Sequence, residues 1–173
     1  MILRKSILFV LQLILITSVC SQTKEDALRD AKITSKATLK EDYKTVLKHT
    51  LPKIVELMGG KDTALNTIES TFNKMKSEGF VFEKADILNV SEIIKEQNQF
   101  RCVIEGYNQM KMSGQRIGSK SYLLGIYDEK EKIWYFLEAK QLKNKAMLNQ
   151  ILPSFKTSLD IPESEMKYIP NDN

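Results

Sequence analysis

The chain has 173 residues and carries 26 Lys and Arg against 22 Asp and Glu, a formal net charge of +4. That length supports one domain with a proper core. The basic residues are interleaved with acidic ones through 24–42 and 128–132, so no basic stripe tracks phosphates and nucleic acid is not a partner the sequence supports.

Arg4 and Lys5 precede an apolar run from Ile7 to Ile16, broken only by Gln12, and small or polar residues follow from Thr17 to Ser21. This is the pattern of an export signal over 1–21, with an apolar stretch too short to cross a bilayer comfortably. Val19 and Ser21 suit cleavage before Gln22, which places the mature protein outside the cytoplasm, secreted or periplasmic. Two alternatives stay open: a lipid anchor on Cys20, opposed by bulky Val19 and by Thr17 where such signals want Leu, and an uncleaved single-pass anchor. With Cys20 gone, Cys102 stands alone and no intrachain disulfide forms. Its place in an alternating pattern beside Phe100 and Ile104 makes it a small buried hydrophobe.

Residues 27–58 are helical in character, with Leu39, Tyr43, Val46, Leu47, Leu51, Ile54, Val55 and Met58 recurring at threes and fours. Pro52 must kink this run or open a second helix. Gly59 and Gly60 end it, and Asp62 or Thr63 caps a helix over 63–78 whose apolar face is Leu65, Ile68, Phe72 and Met75. After Gly79 the period becomes two. Strands are predicted over 80–90, 100–112, 115–127 and 133–137, with a turn at Ser113-Gly114 and a polar loop over 128–132. The last of these strands is apolar on both faces, as expected of a central or fully covered strand rather than an edge. A short helix over 142–152 stops at Pro153, and 162–173, flanked by Pro162 and Pro170, reads as a loosely held tail. The domain proper is thus 22–161.

Chemistry-bearing residues are sparse. His49 is the only histidine, so no His/Cys/Asp/Glu cluster has ligand spacing, and neither a metal nor another cofactor is called for. His49 is the one acid/base candidate, although Glu41, Asp42 and Glu56 are poor orienting partners for it along a helix. No residue has the setting of a catalytic nucleophile: Ser113, Ser119 and Ser121 lie in or beside strands without a nucleophile elbow. The aromatic and aliphatic residues Tyr43, Leu47, Phe72, Phe100, Ile104, Tyr122 and Trp134 are the candidates for lining a pocket, with simple core as the competing role.

Tyr43, the run Thr50-Leu51-Pro52-Lys53-Ile54-Val55-Glu56-Leu57-Met58-Gly59-Gly60, the stretch Ser119-Lys120-Ser121-Tyr122-Leu123-Leu124-Gly125-Ile126 and the Trp134-Tyr135-Phe136 strand follow one another in a telling order. Helices, a Gly-Gly stop, another helix and a meander of long strands resemble the nuclear transport factor 2-like, cystatin-like superfamily, in particular its exported bacterial members. The likeness spans about 26–161. It implies a cone in which a bent sheet wraps around the helices. That superfamily holds ketosteroid isomerases and dehydratases, which place carboxylates or a His/Asp pair in the cone, alongside members that only bind or dimerise. No residue here matches those catalytic sets one for one, so the resemblance carries the fold and not a catalytic site.

The expectation is therefore an α+β domain, N-terminal helices packed on a bent antiparallel sheet of about four strands with a short C-terminal helix. Its function is read as non-enzymatic binding or interaction, with a small isomerase or dehydratase of the same fold as the alternative. The partners this implies are a small apolar ligand in the cone and a second copy of the chain, docked through Arg101, Val103, Glu105, Tyr107 and Gln109 on the outer face of the sheet. No membrane contact beyond a lipid on Cys20 is expected.

Overall fold

The computed structural model describes residues 23–170. The expected export signal, its expected cleavage site and Cys20 lie outside the described residues. Among the described residues no helix is long and apolar enough to cross a membrane.

Thr23 starts helix α1 (Lys24–Leu39) through a capping box with Asp26. The expected long helix then breaks at residues 40–42. Glu41 takes a left-handed conformation (φ 58°), and the amides of Glu41 and Asp42 bond back to Thr38 and Ala37, a Schellman closure built without glycine. Asp42 caps the short α2 (Tyr43–Lys48) by accepting from the Thr45 amide. Pro52 does not kink a helix but opens α3 (Pro52–Leu57) at its first position, where a missing N–H costs nothing. Gly59 and Gly60 (φ 93° and 90°) close α3 in the same Schellman pattern, bonding to Glu56 and Val55. Helix α4 (Lys61–Ser77) begins at Gly60 with no side-chain cap, so neither Asp62 nor Thr63 has the expected capping role. Leu39, expected on the buried stripe, is 38% exposed.

The sheet is antiparallel, with β1 (Val81–Val90), β2 (Ile94–Glu96), β3 (Gln99–Met112), β4 (Gln115–Asp128), β5 (Ile133–Glu138) and β6 (Glu165–Ile169). Its spine is β1-β3-β4-β5; β2 extends the β1 side along β3 and β6 extends the β5 side along β4. Ser113 and Gly114, both at positive φ, turn β3 into β4 with Met112 opposite Gln115. Irregularities in β1 near Glu83 and Leu88 bend that strand. The tail expected to be loosely held instead supplies β6, antiparallel to β4 from Arg116 to Lys120.

The sheet buries two faces. On the inner face α1 lays Ala27 and Ala31 against Cys102, Ile104, Trp134 and Phe136. Gly125 sits opposite Cys102, where a Cβ would lie 2.9 Å from the Cys102 Sγ and 3.3 Å from the Trp134 ring, so only glycine fits between them. On the outer face Leu124, Ile126 and Leu137 pack beneath Leu51 and Ile151, the latter from α5 (Lys145–Ile151), which follows a short 3-10 turn, Ala139–Lys143. β5 is consequently apolar on both faces although it ends the spine: it is covered twice, not central.

The extended chain after α5 straps over the outer face. Arg101, 2% exposed, donates from Nη1 to the Lys156 carbonyl at 2.8 Å and stacks on the Phe155 ring at 4.7 Å. Gln97 donates to the Ser154 carbonyl and Glu96 accepts from the Ser158 amide. Leu159 and Ile161 then cover Val103 and Tyr122. The outer-face surface expected for a second copy is thus partly occupied by the chain itself: Arg101 and Val103 are buried, while Glu105, Tyr107 and Gln109 stay half-exposed.

Candidate functional site

The buried side of α1 is made of small residues, and this is what opens the site. Ala27 and Ala31 let the first half of the helix approach the sheet closely, whereas in the second half Ser35 reaches only the β1 edge, donating to the Ala85 carbonyl, and Thr34 and Thr38 turn their hydroxyls back to their own helix, so none of the three fills the space over β3 and β4. A cavity of about 380 Å³ remains. Its floor is Gly106 and Asn108 of β3 with Ser121 and Leu123 of β4, its aromatic wall Phe72, Phe82 and Phe136, and its far end Glu138 and Gln141. Glu138 follows Trp134 and Phe136 on the inner face of β5 by simple alternation.

His49 lines this cavity at 4% exposure, and it does so while holding the free edge of β5. Its Nδ1 lies 3.0 Å from the Trp134 carbonyl. A carbonyl only accepts, so Nδ1 carries the hydrogen, and in the neutral ring Nε2 is the acceptor. The His49 carbonyl accepts from the Phe136 amide at 2.7 Å. Asp30, also 4% exposed, accepts from the Trp134 amide at 3.1 Å and from Arg29 Nε at 3.0 Å. These bonds satisfy an edge that would otherwise stay open to another strand. No hydrogen bond or ion pair joins His49 to Glu138 or Asp86 among the described residues.

A larger depression of about 710 Å³ lies between α2, α3, the start of α4 and the β4–β5 turn. Its charged rim is Lys44, Lys48 and Lys61 against Glu56, Asp62 and Glu131, all exposed on the surface. Equal numbers of solvated opposite charges give no net preference and little fixed geometry. The smaller inner cavity, with polar groups held by bonds to the backbone, is the better-formed site.

Of the residues singled out in the sequence, Phe72 and His49 line the inner cavity. Tyr43 stacks on Phe72 with centroids 5.1 Å apart, at the edge of a separate void of about 70 Å³. Leu47 borders the larger depression. Phe100, Ile104 and Trp134 belong to the core beneath α1, and Tyr122 faces the opposite side of the sheet. The thiol of Cys102 is fully enclosed in the same core, where burial pushes its pKa up to about 12, outside the range of a nucleophile at neutral pH.

No family model, curated protein or solved structure matches this chain. The cavity therefore has to be read from its own residues. Sequence reasoning missed Thr34, Ser35, Thr38, Asn108, Ser121, Glu138 and Gln141. A signal for the first three was present: hydroxyl residues at 34, 35 and 38 continue the Ala27 and Ala31 face of α1, and a buried helix face of only small residues either packs very closely or leaves room.

Proposed function

We propose that the domain is a non-enzymatic binding module, exported and built on the cone plan of the nuclear transport factor 2-like proteins, which takes a small, largely apolar ligand into the cavity beneath α1. The observation that carries this reading is the cavity itself: about 380 Å³ between helix and sheet, partly open to solvent, apolar for much of its wall, with a few polar groups fixed by the surrounding backbone. Binding is favoured over turnover because the His49 ring is oriented by a carbonyl in the service of β5, not by a carboxylate partner.

A panel of small apolar compounds tested by thermal shift decides the matter. A ligand that binds the folded state raises its melting temperature. Compounds from the panel should do so for the wild-type protein and lose the effect in Ser121→Phe, whose ring fills the cavity. A panel without any shift, or shifts equal in both proteins, would count against this site.

A further inference from the structure

Four hydroxyls line the inner cavity with their hydrogens already committed. Thr34 Oγ1 donates to the Asp30 carbonyl at 2.9 Å, Thr38 Oγ1 to the Thr34 carbonyl at 3.1 Å, Thr50 Oγ1 to the Val46 carbonyl at 3.0 Å, and Ser35 Oγ to the Ala85 carbonyl. A hydroxyl whose hydrogen is spent presents only lone pairs. His49 follows the same pattern, with Nδ1 committed and Nε2 left as an acceptor. Gln141 also lines the cavity, although its Oε1 is buried out of a ligand's reach. Glu138 adds a carboxylate at the same end of the cavity.

Donors are scarce by comparison. The Ser121 hydroxyl already accepts from Asn108 Nδ2 at 3.3 Å, which leaves its own hydrogen and the remaining amide hydrogens of Asn108 and Gln141. No Lys or Arg lines the cavity among the described residues. Lys140 stands 3.5 Å from Glu138, at the solvent-facing end of the cavity; their side chains are 72% and 40% exposed, and such a pair is weak.

A cavity of this kind opposes an anion, which would meet lone pairs and a like charge, and suits a ligand that brings hydrogens and positive charge. An alkylammonium group carries three donors and no acceptor. Its hydrocarbon body suits Phe72, Phe82, Ile87, Leu123 and Phe136. Resting on the binding reading above, we propose that the cavity selects a small primary amine with an apolar body, its ammonium taken by Glu138, with His49 Nε2 as a further acceptor.

Titration calorimetry at neutral pH with three probes of one shape, hexylammonium, hexanol and hexanoate, tests the assignment. Hexylammonium should bind about tenfold more tightly than hexanol, the equivalent of one charge-assisted hydrogen bond, and hexanoate should not bind measurably. Glu138→Gln should bring hexylammonium down to the level of hexanol and leave hexanol unchanged. Equal binding of hexylammonium and hexanol, a preference for hexanoate, or no binding of hexylammonium overturns the amine assignment, as does a preference that survives in Glu138→Gln. The binding reading itself stands or falls separately, on the wider panel and the filled Ser121→Phe variant.

Discussion

Glu83 shows how one surface carboxylate ties three strands together. It lies on β1 and accepts from Arg116 of β4 at 2.6 and 3.0 Å and from Gln109 of β3 at 2.7 Å. The bond from Arg116 first, and then that from Gln109, hold its carboxyl at about 2, far below the usual carboxylate range. A carboxyl whose folded pKa is depressed stabilises the fold at pH values above its unfolded pKa, and that contribution is lost as pH falls through the folded one. The relevant window here runs from about 4.5 down to about 2. Urea midpoints of wild type and Glu83→Gln should therefore differ most at pH 6 and converge as the pH approaches 2; a gap independent of pH would show that the carboxylate charge is not what holds the strands.

Among the elements, β5 depends most on neighbours outside the sheet. Its free edge is held by Asp30 from α1 and by His49 from the end of α2, and neither bond is available to a strand in isolation. Asp30→Ala leaves the buried Trp134 amide without an acceptor and should cost about 2 kcal/mol. Asp30→Asn, which keeps a carbonyl oxygen in place, should cost less. Amide exchange read by nuclear magnetic resonance should show the Trp134 amide losing protection in Asp30→Ala while amides of β3 keep theirs. Uniform loss across the sheet would mean that the whole fold, not this edge, had been weakened.

These elements also show what the amino-acid order discloses. The four long strands and the Ser113-Gly114 turn are legible because alternation and positive-φ residues are local signals. The break after α1 is not, because the left-handed residue is Glu41 where a glycine would have announced it. The start of α4 is obscured for the opposite reason: Asp62 and Thr63 look like caps, yet Gly60 fills that position without a side chain. β6 is invisible in the sequence because its side chains are mostly exposed and it is held by pairing with β4, a contact made across some fifty residues. The site divides in the same way. His49 and Phe72 are conspicuous by type, whereas Thr34, Ser35, Asn108 and Gln141 matter only because α1, β3 and the turn after β5 converge on one space.

At the scale of the molecule, the sheet is covered on both faces and the two coverings do different work. The outer face is closed over part of its length by α5 and a strap pinned at Arg101, which set apolar groups against apolar groups, while Glu105, Tyr107 and Gln109 stay half-exposed. The inner face is closed fully only at one end, where Ala27 and Ala31 meet Cys102 and Trp134; toward Thr38 the small hydroxyl residues leave the cavity. That unfilled end is the ligand site we propose. The most direct test is to map backbone amide shifts by two-dimensional nuclear magnetic resonance while titrating the tightest-binding of the six-carbon probes. Binding in the inner cavity predicts shifts clustered at Thr34, Thr38, Asn108, Ser121 and Gln141. Shifts confined to Lys44, Lys48, Lys61 and Asp62, around the larger depression, would contradict it.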